Sequence, residues 1–149
     1  MSKLEDRLTE DYKAAMKSGD APRRDILRSL RAALKSATIE KRDALTEDEA
    51  LAVLTRQAKQ RRESIEQFGL GGRDDLVQKE AADLLVIESY LPQQMDRAEI
   101  EELARTIIAE VGATSVRELG QVMKALMPRT QGRADGKLVN EVVRGLLNG

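Results

Sequence analysis

Gly120-Gln121-Val122-Met123-Lys124, followed after a connector by Gly132-Arg133-Ala134-Asp135-Gly136-Lys137-Leu138-Val139-Asn140, is the stretch on which the reading of this chain turns. Leu119, Val122, Met123 and Leu126 recur at steps of three and four, which places them on one helix face. Pro128 has no backbone N–H and its ring crowds the turn before it, so the helix is predicted to stop there. Leu138, Val139, Val142, Val143 and Leu146 form the next apolar face. Between the two, Gly132 and Gly136 permit backbone angles that residues with a Cβ resist. The predicted unit is a helix, a basic glycine-containing loop and a last helix. Arg129, Arg133 and Lys137 surround the loop. Two readings stand: the basic side chains precede a helix N-terminus suited to a phosphate, or they are simply solvated on a helical hairpin.

Working outward, Asp96 and Glu99 have capping-box spacing before a helix with apolar positions Ile100, Leu103, Ile107 and Val111. Gly112 falls where a C-terminal glycine cap belongs, and Ser115 with Glu118 is expected to start the next helix. Leu91-Pro92-Gln93-Gln94 interrupts the periodicity and marks the expected domain boundary, with one helical subdomain over 1–90 and a second over 92–149. Upstream, Ser2 with Glu5 caps a first helix bearing Leu4, Leu8, Tyr12 and Ala15, which ends at Lys17-Ser18-Gly19-Asp20. Pro22 suits the first turn of the second helix. Thr46 with Glu49 caps the third, whose stripe is Leu51, Leu54, Ala58, Ile65 and Phe68. Gly69-Leu70-Gly71-Gly72 reads as a loop, and it lacks the Gly-Lys-[Ser/Thr] ending that would cradle a nucleotide. Asp74 or Asp75 is expected to cap the fourth helix, carrying Leu76, Val77, Ala81, Leu84, Leu85 and Ile87. Every segment has helical rather than alternating period. The fold class is therefore all-α, with about four helices before the break and three after it.

The second helix has a core stripe of Ile26, Leu27, Leu30, Leu34 and Ala37. Arg24, Arg28, Arg31 and Lys35 recur on another face, opposed within the helix only by Asp25. That face is either solvated or an electrostatic contact for a phosphate backbone or an acidic partner. Arg61 falls on the apolar stripe of the third helix between Ala58 and Ile65. A charge there must snorkel out or find a partner, and Glu80 or Glu88 is expected to supply it.

Composition excludes several chemistries. Among 149 residues there is no Cys and no His, which removes disulfides, thiolate nucleophiles, Cys/His zinc sites and imidazole acid–base catalysis. Charged residues make up 34% yet balance at 25 basic against 26 acidic, which argues against a generic polybasic nucleic-acid binder and leaves only local basic faces. Tyr12, Phe68 and Tyr90 are the only aromatics, so base stacking is an unpromising mode of recognition. Thr46 and Ser115 read as caps, and Ser64 has no evident base. No catalytic constellation, metal site or cofactor is predicted. A charged Met1–Asp11 and the lack of a long apolar run lead to the expectation of a soluble, cytoplasmic protein with no membrane partner.

The Gly-Gln-Val-Met-Lys and Gly-Arg-Ala-Asp-Gly-Lys-Leu-Val-Asn runs resemble the tail domain of GatB, the amidotransferase subunit that converts Glu-tRNA(Gln) or Asp-tRNA(Asn) to the amide. Two departures are visible: Gly136 stands where that family has proline, and the connector before Gly132 is longer. The whole chain resembles the stand-alone YqeY-like proteins, through Leu45-Thr46-Glu47-Asp48-Glu49, Lys59-Gln60-Arg61-Arg62, Gly72-Arg73-Asp74-Asp75-Leu76 and Tyr90-Leu91-Pro92. The resemblance implies a tRNA-binding or accessory role beside a tRNA-dependent amidotransferase. Lys124, Arg129, Arg133 and Lys137 would then be the phosphate-contacting residues, Gly120, Gly132, Gly136 and Asn140 the structural ones, and Arg24, Arg28, Arg31 and Lys35 a second surface. It implies a carbon–nitrogen ligase label by kinship only, since the catalytic domain that precedes the tail in GatB has no counterpart in this sequence. The alternative is a protein-interaction module acting on an amidotransferase or aminoacyl-tRNA synthetase.

Overall fold

The computed structural model describes residues 1–148. Among them are seven α-helices, one 3-10 turn and no strand: α1 (Lys3–Ser18), α2 (Ala21–Lys41), α3 (Glu47–Leu70), α4 (Asp74–Glu88), α5 (Arg97–Val111), the 3-10 turn Val116–Glu118, α6 (Leu119–Thr130) and α7 (Gly136–Asn148). They divide into two compact units, Met1–Leu91 and the part from Pro92 onward.

Local chemistry sets most of the helix starts. Reciprocal capping boxes close α1 at Ser2/Glu5, α3 at Thr46/Glu49 and α5 at Asp96/Glu99. Each satisfies two backbone donors that a helix N-terminus otherwise leaves orphaned, worth about 1 kcal/mol per cap. The Glu47 carboxylate accepts the Lys3 backbone N–H and ties the start of α3 to that of α1. Gly19 and Gly112 end α1 and α5 in the left-handed conformation, at φ 75° in both cases.

Four local expectations are corrected. Neither Asp74 nor Asp75 caps α4: Arg73 occupies the cap position, and its guanidinium grips the Asp75 carboxylate at 3.1 Å, holding Asp75 below the usual carboxylate range. Ser115 makes no side-chain cap; Glu118 instead reaches back to the Thr114 N–H and hydroxyl at 3.0 and 3.1 Å. The glycine loop is shorter than read, because α3 continues through Gly69 to Leu70. Pro128 does not stop α6, which runs on to Thr130. Two residues before the helix end, proline costs one bond, that to the Lys124 carbonyl, and burial of Leu126 and Thr130 around it holds the final turn.

The first unit closes on Leu8, Leu27, Leu30, Leu54 and Ile87, all fully buried. Tyr90 is buried beside them and donates to the Asp11 carboxylate at 2.5 Å, the short distance expected of a charge-assisted bond. Arg7 lies over its ring at 4.6 Å. Burial, then the Asp11 carboxylate, pushes the Tyr90 hydroxyl up to about 12. Buried positions on α3 end at Ala58, and α4 contributes only Ile87, so the distal half of the α3–α4 hairpin rests on half-buried contacts such as Ile65, Phe68, Leu76 and Val77. Leu85, expected on the core face, is 71% exposed. Arg61 sits within this distal half. Its Nε lies 3.4 Å from Glu80 and 3.7 Å from Asp83, and Nη1 donates to Gln57 at 3.3 Å. Glu80 is thus a partner as expected. Asp83 takes the place given to Glu88, because it lies one residue short of a full turn beyond Glu80 and faces the same way.

In the second unit Ile100, Val122, Leu126, Val139 and Val143 are fully buried, drawn from α5, α6 and α7. This three-helix core positions the connection 130–136, on which the functional reading depends.

Candidate nucleic-acid interface

The connection after α6 is a tight, internally bonded turn. Thr130 is buried and its carbonyl accepts the N–H groups of Arg133 at 2.8 Å and Ala134 at 3.0 Å. Gly132 is buried at φ 75°, so glycine is required there. Gly136 is not a loop glycine: it is the first residue of α7 without positive φ, and a Cβ would meet only the Met127 methyl at 3.6 Å. Gly120 lies inside α6 with open space around it. The segment 93–95 packs against the turn: Met95 N–H donates to the Arg133 carbonyl at 2.8 Å, Gln94 Nε2 to the Gly132 carbonyl at 2.8 Å, and Arg133 Nε to the Gln93 carbonyl at 3.0 Å.

These bonds divide the four predicted cations. Arg133 is half-buried and is used to fasten the turn. Lys124, Arg129 and Lys137 are exposed, and none lies within 4.0 Å of a carboxylate among the described residues, where the salt bridges of this unit all belong to Arg97, with Glu101 and Glu141. Arg129 and Arg133 line one groove of about 360 Å³, together with Glu99, Glu102 and Thr106 of α5; Lys124 and Lys137 lie outside it. The α7 N-terminus read as a phosphate site is already served: the Asp135 carboxylate accepts the Lys137 N–H at 3.3 Å. An anion there would meet a resident negative charge. Asn140, within α7, accepts from Arg144 Nε at 2.9 Å.

The basic face of α2 is built differently. Arg24 pairs with Asp25 at 3.1 Å. Arg31 lies over the Tyr12 ring at 4.7 Å, and Arg28 approaches the same ring at 5.9 Å while its Nε meets the Tyr12 hydroxyl at 3.4 Å. Two guanidinium groups thus share one aromatic. Sequence reading placed Tyr12 in the core stripe of α1; it is half-buried at the seam with α2. Its rarity in an aromatic-poor chain was the available signal, but only the α1–α2 packing register reveals its partners.

The family model described as Yqey-like protein matches residues 5–147, nearly the whole chain. The chain belongs to the YqeY-like family. Its curated relatives include proteins named altered inheritance of mitochondria protein 41, mitochondrial. The one from Pyrenophora tritici-repentis is 30% identical over 141 residues, covering 93% of this chain and 77% of the relative. The one from Eremothecium gossypii is 40% identical over 98 residues, covering 65% and 53%. That from Kluyveromyces lactis is 33% identical over 84 residues, covering 56% and 45%. The matched part of the chain thus spans about half the length of several of these relatives. These names overturn the expectation of a cytoplasmic protein, since the relatives are mitochondrial. The physical reason is that neither a charged N-terminal stretch nor the lack of a long apolar run distinguishes a cytosolic from an organellar setting. No helix among the described residues is long and apolar enough to cross a membrane.

Proposed function

We propose that this YqeY-like chain is a tRNA-binding accessory module of the kind that serves a tRNA-dependent amidotransferase, holding RNA through its phosphate backbone and leaving the chemistry to other domains. The observation that carries this reading is the exposure of Lys124, Arg129 and Lys137 with no carboxylate within 4.0 Å among the described residues, on the stretch that resembles the GatB tail. Cations left unpaired by their own fold can neutralise phosphates and release condensed counterions. Arg133 supports them by fixing the turn between α6 and α7.

The test is tRNA affinity against salt for the full chain and for the triple variant Lys124→Ala, Arg129→Ala, Lys137→Ala. At about 0.7 to 0.9 per lost contact, the log–log slope should fall by about two to three. Arg28→Ala with Lys35→Ala should leave that slope unchanged. Absence of tRNA binding by the intact chain at low salt overturns the reading.

A second reading, a protein-interaction module for an amidotransferase or synthetase, is favoured by the groove that sets Arg129 and Arg133 against Glu99 and Glu102. Mixed charge suits a protein surface better than a uniformly negative backbone. It becomes the preferred reading when tRNA fails to bind.

A further inference from the structure

A groove of about 480 Å³ runs along the first unit between α1, α2 and the segment that leads into α3. Arg28, Arg31 and Lys35 line one wall, and Leu34 and Leu45 reach its floor. We infer that this groove docks an acidic amphipathic helix of a partner protein.

Charge complementarity is the first argument. Among the described residues the salt bridges of this unit use Lys13, Arg24, Lys41, Arg61, Arg73 and Lys79, and Arg28, Arg31 and Lys35 have no carboxylate within 4.0 Å. The one carboxylate lining the groove, Glu5, is engaged in its own helix start, where it accepts the Ser2 N–H at 3.2 Å. Tyr12 holds the two guanidinium groups at the groove wall, which lowers the entropy lost when they bind.

Spacing is the second. At a rise of about 1.5 Å per residue, Arg28 and Arg31 are about 4.5 Å apart along the helix axis and Arg31 and Lys35 about 6 Å. A second helix laid alongside presents carboxylates at the same intervals when Glu or Asp recurs at steps of three and four.

The floor decides between partner classes. Met1, Ala32 and Ala44, exposed along the groove above the buried Leu34 and Leu45, offer apolar surface between the cations and the opposite wall. A phosphate backbone has nothing to bury there, whereas an amphipathic helix fills it with the residues between its carboxylates.

The probe is a fluorescein-labelled helical peptide with Glu at positions i, i+3 and i+7 and Leu on the adjoining face, titrated into the full chain and followed by polarisation. Its Glu→Gln counterpart should bind about tenfold more weakly. The double variant Arg28→Gln, Lys35→Gln should lose a similar factor for the Glu peptide. Ala32→Glu, which sets a carboxylate among the three cations, should abolish binding while circular dichroism and thermal melting stay unchanged. Lys35→Gln alone, exposed and unpaired, carries the test if the double variant unfolds. Equal binding of the two peptides overturns the proposal, as does no binding of either at millimolar concentration. It is equally overturned, in favour of a nucleic acid, if the α2 variants weaken tRNA binding and leave the peptide unaffected.

Discussion

The basic face of α2 and the basic stretch from Lys124 to Lys137 each offer four cations, most of them without a carboxylate partner among the described residues, yet the fold surrounds them differently. Of these four on α2 only Arg24 is paired with a carboxylate among the described residues, and Arg28 and Arg31 rest on Tyr12 beside an apolar groove. In the turn Arg133 is a fastener, Arg129 shares its groove with Glu99 and Glu102, and Asp135 sits at the helix start. The lesson is that a cation's availability is set by what the fold has already made it do. Arg61 marks the extreme: its side chain is 16% exposed, and its neighbours Glu80 and Asp83 are as well covered.

Substitutions ranked by this dependence should separate the two regions. The largest effect belongs to Arg61→Glu, which puts a third carboxylate beside Glu80 and Asp83 and should cost about 3 kcal/mol or more; Arg61→Met, which keeps an aliphatic chain, should cost clearly less. Thermal melts of equal midpoint for the two would show that the site is not desolvated. Next comes Arg133→Ala, which removes a charged donor from the Gln93 carbonyl and should lower stability by about 1.5 kcal/mol. Amide exchange should localise that loss to residues 93–95 and 130–136; unchanged protection there would remove the distinction between Arg133 and the exposed cations around it.

A smaller effect, about 0.5–1 kcal/mol, is expected for Arg31→Ala through the Tyr12 ring, and a double-mutant cycle with Tyr12→Leu should return a coupling of that size. Additive effects would mean that Tyr12 does not position the guanidinium.

Within α2, Lys41 supplies the paired contrast to Lys35. Its ammonium at 2.6 Å, followed by the Thr46 N–H, holds the Glu49 carboxylate at about 2. A carboxylate depressed in the folded state stabilises fully above its ordinary value near 4.5, and the contribution is lost as pH falls from there through about 2. Glu49→Gln should flatten the melting curve over that acid window and nowhere else. The smallest effect is reserved for Lys35→Ala, which should stay within about 0.5 kcal/mol of the parent, since the exposed side chain has no ion-pair partner among the described residues.

The sequence by itself determined the helices of this protein. Apolar residues at steps of three and four, three capping boxes and the glycines at 19 and 112 act through neighbours within one turn, and such short-range chemistry is written in consecutive residues. It also carried the YqeY-like family resemblance, through runs such as Leu45–Glu49 and Gly72–Leu76, and the need for a partner at Arg61. Tertiary structure alone decided which partner and which face. Asp83 rather than Glu88 meets Arg61, Tyr12 at the core's edge also holds two arginines, α6 outlasts Pro128, and Arg133 turns inward to Gln93. The contacts among these depend on the rotation and register of one element against another, joining residues from 16 apart at Tyr12–Arg28 to 40 apart at Gln93–Arg133. Periodicity says that a residue lies on a face; only packing says what that face meets.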